Sequence, residues 1–237
     1  MKGSMLVGHR LFRRGLRQGV AAAIEHRGAL RGLKPLMIVD VGANVGQFAL
    51  LCRSLYPQAR IYAFEPLAQA ADTFSRLFAG DDKVTLIRSA VGNRRGDVAI
   101  HLSRRLDSSS LLPISPTMTE AFPGTDEVGH AIVPIAPLPE MLSSKDIAEP
   151  ALLKIDVQGA ELEVLRGCGE LLQRFSDICV ELSFVELYTG QSLCHEVIAY
   201  LAQRGFAIAS IYNLQYGRGH RLLQADFLFS RVAPSTS

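Results

Sequence analysis

Asp40-Val41-Gly42-Ala43-Asn44-Val45-Gly46-Gln47-Phe48 (DVGANVGQF, residues 40–48) decides the fold. It follows the apolar run Leu36-Met37-Ile38-Val39 and precedes Ala49-Leu50-Leu51, so a buried strand turns sharply into a helix. Two glycines at the turn permit backbone conformations and close approaches that side chains prevent. A strand's carboxyl end leading into a helix is where open α/β sheets bind ligands. The glycine spacing does not match G-x-G-x-x-G, and no Gly-Lys-Ser/Thr follows, so a dinucleotide or P-loop phosphate grip is not indicated.

Outward from this turn, short apolar strands alternate with helical patterns, as in βαβ units around a parallel sheet. Strands are expected at about 36–41, 61–64, 84–87, 151–155, 178–184, 207–212 and 225–230, with helices after Phe48, after Pro66, at about 160–174 and at 193–204. Residues 96–139 break the pattern. Val98–Leu102 reads as an extra strand, Asp107–Ser110 as a polar loop, and six prolines from Pro113 to Pro139 as an irregular insertion. Such segments are often lids or binding loops.

The 237 residues suffice for one α/β domain, and 48% hydrophobic with 20% charged residues is ordinary for a globular chain. No apolar run is long enough to span a membrane. The net charge of +2 does not argue for nucleic acid. Cys52, Cys168, Cys179 and Cys194 lack metal or redox spacing and read as reduced thiols, suiting a cytoplasmic protein. The six histidines lack metal-site spacing, so no metal is expected. Residues 1–35 form a basic extension, in which Lys2, Arg10, Arg13, Arg14, Arg17, Arg27, Arg31 and Lys34 face the single acid Glu25. It reads as a solvated helical arm or as a contact surface for acidic substrates or a membrane surface. Residues 36–237 form the main domain.

Acids at strand ends carry the chemistry. Glu65 follows the second strand, about 25 residues after Asp40, where a carboxylate can accept hydrogen bonds from ribose hydroxyls. Together with the glycine turn this suits a nucleoside with a charged tail, and S-adenosylmethionine is such a ligand. Asp156 ends the strand Ala151–Ile155 as a candidate general base for a hydroxyl nucleophile, or else as a helix cap or ion-pair partner of Lys154. Glu181 is a charge within an apolar strand and needs either a partner or a role. Lys154 neutralises it, or it helps hold an acceptor. His101, Ser109 and Ser110 beside the insertion are candidate acceptor contacts, with a surface histidine and a flexible serine loop as the alternatives.

The segments MIVDVGANVGQF, YAFEP, SAVGN, LLKIDVQGAELEVLRG, CVELSFVELY and QADFLF resemble, in order, the FkbM family of S-adenosylmethionine-dependent methyltransferases over about residues 36–231. The resemblance implies an α/β, Rossmann-like seven-stranded sheet, mostly parallel with its last strand antiparallel. It implies O-methyl transfer to a sugar, glycan or natural-product hydroxyl, leaving S-adenosylhomocysteine. It places Asp40, Val41, Gly42, Ala43, Asn44 and Gly46 at the methionine end, Glu65 and Pro66 at the ribose, and Ser89 and Ala90 at the adenine. Asp156 falls beside the sulfonium, and Lys154 near the acceptor. Leu138-Pro139-Glu140 departs from the family's usual Leu-Asp pair. Rival expectations are a lipid-like or nitrogen acceptor, or a degenerate cofactor-binding interaction module. Nucleic acid is not an expected partner, and homo-oligomers stay open.

Overall fold

The computed structural model describes residues 10–232 of the chain; Lys2 and His9 lie outside them. Helix α1 (Arg10–Arg17) precedes β1 (Met37–Val41), α2 (Gln47–Leu55), β2 (Arg60–Phe64), α3 (Ala68–Leu77) and β3 (Val84–Ile87). The insertion follows, with β4 (Ala90–Val91), β5 (Gly96–Ser103), α4 (Pro116–Ala121) and β6 (Glu127–Ala136). The chain then completes its core with β7 (Ala151–Ile155), α5 (Glu161–Gly167), β8 (Asp177–Ser183), α6 (Cys194–Ala202), β9 (Phe206–Tyr216) and β10 (Leu222–Arg231).

Seven strands form one sheet in the order β3-β2-β1-β7-β8-β10-β9. Pairing is parallel among β3, β2, β1, β7 and β8, while β10 runs antiparallel to both β8 and β9. From β1 the chain steps to β2 on one side and later to β7 on the other, which opens a crevice at their carboxyl ends. Both faces of β1 and β7 are buried, which explains their near-continuous apolar runs.

Alternation along the strands builds two cores. Val39, Leu153, Val180 and Phe227 face α5 and α6, packing with Leu165 and Val197. Ile38, Leu152, Cys179 and Leu228 face the opposite side, with Phe48, Leu51 and Phe74 of α2 and α3. Phe12, Val20, Ala22 and Leu30 join this second core. Fully burying each large apolar side chain is worth about 1.5–3 kcal/mol. The basic extension is therefore not a free solvated arm: its apolar residues seal one face of the sheet while its arginines stay mostly exposed.

The proline-rich insertion also differs from expectation. Residues 113–139 contain a capped helix and a ten-residue strand. Ser115 accepts from Met118 N, and Pro116 occupies the first turn of α4, where its missing N–H costs nothing. Strand β6 tolerates Pro134 because β4 pairs only with Ile135 and Ala136, leaving one side of Pro134 without a ladder. The order β4-β6-β5 makes a second, three-stranded sheet. The expected helix 160–174 stops at Gly167 and continues as a 3₁₀ segment, Gly169–Arg174.

Candidate active site

A pocket of about 460 Å³ opens at the carboxyl ends of β1, β2, β7 and β8. Its walls include Val41–Asn44, Glu65, Pro66, Ser89, Ala90, Ser108–Ser110, Lys154, Asp156 and Glu181. Asp40 and Gly46 lie behind this surface, and His101 is not part of it.

The turn after β1 is fixed by hydrogen bonds. Gly42 N and Ala43 N both donate to Phe64 O at 3.0 Å. Glu65 accepts from Asn44 N through Oε2 and from Leu67 N through Oε1, each at 2.8 Å, so it ties the turn to the end of β2. Each carboxylate oxygen retains acceptor capacity for a ligand hydroxyl. Burial pushes Glu65 up to about 7 despite these two backbone donors. The backbone is left-handed at Gly42, Asn44 and Gly46.

The glycines have a different physical reason from the one their sequence suggests. A Cβ on Gly42 would lie 1.9 Å from Asp156 O, so β7 and not a ligand excludes it. A Cβ on Gly46 would lie 2.8 Å from the Phe78 ring, against the end of α3. Gly42 allows the first turn to sit against β7, and Gly46 allows α2 to pack on α3.

Asp40 is fully buried, and both its carboxylate oxygens lack a hydrogen-bond partner among the described residues. Burial raises it to about 6, in spite of nearby Lys154. A buried orphan carboxylate is costly unless a donor arrives. The ammonium of a methionine moiety, directly or through water, is a donor of the right charge. Together with the acceptor capacity of Glu65, the site's chemistry fits S-adenosylmethionine.

Opposite the turn, the charges of β7 and β8 interlock. Lys154 is 3% exposed, and its Nζ donates to Asp156 Oδ2 at 2.9 Å. Burial opposes both charges, yet Asp156 and Asp40 hold the ammonium protonated, and Lys154 with Gln158 holds Asp156 below the usual carboxylate range. Asp156 is thus a weaker base than its position at a strand tip suggests, and the hydrogen bond of Lys154 goes to Asp156 while Glu181 feels only its charge. Glu181 accepts from Gln158 Nε2 at 3.2 Å and Gln224 Nε2 at 2.8 Å. Burial, then the charges of Asp156, Asp226 and Glu161, push Glu181 well above the usual range.

Gln158 is the residue that spacing along the chain did not single out. It is left-handed at φ 57°, uncommon for a residue with a side chain. Its Nε2 donates to Asp156 at 2.7 Å as well as to Glu181, while its Oε1 accepts from Tyr188 Oη at 2.8 Å. The sequence signal was its place between Asp156 and Gly159, directly after a buried strand. His26 also lines the pocket, 2.9 Å from Tyr212 Oη, and burial lowers it to about 4.

The serine loop is ordered by its own hydroxyls. Ser109 Oγ accepts from Ser103 N, and Ser110 Oγ donates to Gln158 O at 2.5 Å. These groups brace the pocket wall and are engaged within the chain. His101 lies outside the pocket wall, beside Glu127 and His130 on the small sheet. Glu140, in the departing Leu-Pro-Glu segment, pairs with Arg95 away from the pocket.

A seven-stranded sheet with this order, its antiparallel β10 and a pocket at the switch point define the class I methyltransferase fold. Sp1610 of Streptococcus pneumoniae, solved with S-adenosyl-L-methionine, shares this fold at a TM-score of 0.50 and 10% identity, over 92% of this chain and 76% of that one. The family described as Methyltransferase FkbM domain matches residues 40–208. The chain belongs to that family and is an S-adenosylmethionine-dependent methyltransferase. The hexuronic acid methyltransferase AglP of Haloferax volcanii is 31% identical over 60% of this chain, and the match spans 54% of AglP's own length. The 2-O-methyltransferase NoeI of Sinorhizobium fredii is 29% identical over 77% of this chain and 78% of its own. No helix of the described residues is long and apolar enough to cross a membrane.

Proposed function

We propose that the chain methylates a hydroxyl group on a sugar, glycan or natural-product acceptor. The observation that carries this is the Glu181 carboxyl: a proton acceptor of raised affinity, oriented by two amides and lining the same pocket as the glycine turn and Glu65. A hydroxyl is a poor nucleophile while protonated, so a positioned base assists its attack. The names of AglP and NoeI, a hexuronic acid methyltransferase and a 2-O-methyltransferase, support an oxygen acceptor on a sugar.

When bound, S-adenosylmethionine supplies an electrophilic methyl group on a sulfonium. Glu65 would hold the ribose hydroxyls with its spare lone pairs, and Asp40 would answer the ammonium. Asp156, anchored by Lys154, keeps a negative charge at the tip of β7 that would favour a sulfonium. Glu181 takes the acceptor proton as the oxygen attacks, and Gln158 keeps the two acids in register. Alignment of the acceptor against the methyl supplies the rest of the rate.

Incubation with isotopically labelled cofactor and a panel of activated sugars, glycans and hydroxylated natural products tests this reading. A methyl ether mapped to one hydroxyl is the expected product. Methylation confined to amines, or cofactor binding without transfer to any hydroxyl acceptor, would overturn it.

A further inference from the structure

On the outer face of the small sheet three side chains converge. His101 of β5 and His130 of β6 are directly opposed in the antiparallel ladder. His101 Nδ1 lies 3.0 Å from Glu127 Oε2, and His130 Nε2 lies 3.0 Å from Glu127 Oε1. The two ring nitrogens are 3.1 Å apart. This face is turned from the pocket: the adjacent residue Ile100 packs with Leu67 and Val133 and lines the pocket, whereas His101, Glu127 and His130 are not part of its wall.

The arrangement is built by the backbone. In a regular strand residues 127 and 130 would face opposite sides, since side chains alternate. A register shift between Leu102 and Ser103, beside Gly129 at φ 153°, brings Glu127 to the face of the histidines. Bulges of this kind re-aim side chains.

Each ring nitrogen carries at most one hydrogen. If both nitrogens donate to Glu127, each N–H has its own carboxylate oxygen but the two nitrogens crowd together at 3.1 Å. If His130 donates to His101, the lone pair of His101 Nδ1 is used and its approach to Glu127 Oε2 lacks a hydrogen. A cation among the three residues would instead take a lone pair from each ring and one from the carboxylate.

We propose that His101, Glu127 and His130 bind a divalent transition metal ion. Two imidazoles and a carboxylate with a fourth position open to water form a common zinc ligand set. Bonds of about 2.0–2.2 Å in a tetrahedron place ligand atoms about 3.3 Å apart, and one ligand atom from each of the three residues lies within 4.8 Å of the others. Spacing along the chain gave no sign of this site because the ligands meet across two strands. The site also reaches the pocket wall: His101 and Ser110 exchange backbone hydrogen bonds at 2.7 and 3.1 Å, and Ser110 Oγ donates to Gln158 O. A bound ion stiffens the insertion that carries that wall.

The test uses the untagged full chain, stripped with a chelator and titrated with zinc chloride by calorimetry. One saturable zinc per chain is expected. His130→Ala and Glu127→Gln should each weaken it by more than about tenfold, since even outer partners of metal ligands change affinity by about 10–100-fold. Cobalt(II) should give a visible absorption band that both variants lose while their circular dichroism stays native. Absence of saturable zinc binding, or unchanged binding in the folded His101→Ala/His130→Ala double variant, overturns the proposal.

Discussion

Lys154 Nζ and Asp156 Oδ2 face each other at 2.9 Å at the carboxyl end of β7, joining a buried cation to an acid that opens onto the pocket. The pair makes Asp156 chiefly an anchored negative charge. Asp156→Asn leaves Lys154, whose side chain is 4% exposed, without its partner. Breaking a buried pair costs about 3–5 kcal/mol, and the exposure of Asp156 to the pocket brings this down to about 2–3 kcal/mol. Urea unfolding of the variant checks this, and a change below about 1 kcal/mol would show that the pair is merely superficial.

Gly42→Ala should fail by misfolding and not by loss of a ligand contact. The added Cβ meets the Asp156 carbonyl at 1.9 Å, and φ is +79°. Backbone on both sides leaves no flexible group to yield. Soluble, cooperatively folding Gly42→Ala protein with weakened S-adenosylhomocysteine binding would restore the ligand explanation. Gly46→Ala, against the movable Phe78 ring, should be the milder change.

Asp40 makes cofactor binding proton-linked. Its folded value of about 6 lies above that of an unfolded aspartate, so folding favours the neutral form more than the unfolded chain does. This group's contribution to stability is complete below about pH 4 and is lost as pH rises through about 6. A bound ammonium reverses the preference by favouring the carboxylate, so S-adenosylhomocysteine should release up to about half a proton from this group near pH 6. Calorimetry in buffers of differing ionisation enthalpy measures the release. Asp40→Asn should abolish that share; identical release in the variant would place the linkage elsewhere.

Removal of residues 1–30 should destroy cofactor binding. By composition the basic segment reads as lying outside the catalytic domain, but Phe12, Val20 and Leu30 belong to its core and His26 lines its pocket. Leu30→Ala alone should cost about 2–5 kcal/mol in chemical denaturation. A folded truncation that binds S-adenosylhomocysteine normally would show that this packing is dispensable.

The fold was legible because β1, β7 and β8 are mostly apolar with a charged residue near the carboxyl end, and because a glycine-rich turn follows the first. The acids at those ends were legible for the same reason: charge stands out against Val, Ile and Leu. The insertion was not, since proline obscured a strand that is paired along its length on one side only, its other neighbour being two residues long. Gln158 was hidden because its role depends on reaching both Asp156 and Glu181, which lie on different strands. The arm misled because its arginines dominate its composition, while its burial rests on a few apolar residues.

Glu181→Gln separates chemistry from architecture. Burial and three neighbouring acids raise the affinity of Glu181 for a proton, and two amide donors fix its oxygens. Glutamine keeps the shape and cannot take a proton from an acceptor. Loss of a general base costs about 10²–10⁴ in rate, so turnover at saturating acceptor should fall by that factor. Affinity for S-adenosylhomocysteine should stay near wild type, because Glu65 and the turn after β1 are untouched. In the wild type, turnover should rise with pH as Glu181 loses its proton, and level off above its raised value. The variant should lack that rising limb. Turnover within about threefold of wild type, below the general-base range, with the rising limb retained would assign the proton to another group. Asp156 would then be the next candidate: its folded Asn variant, after correction for lost stability, would have to show the missing pH dependence instead.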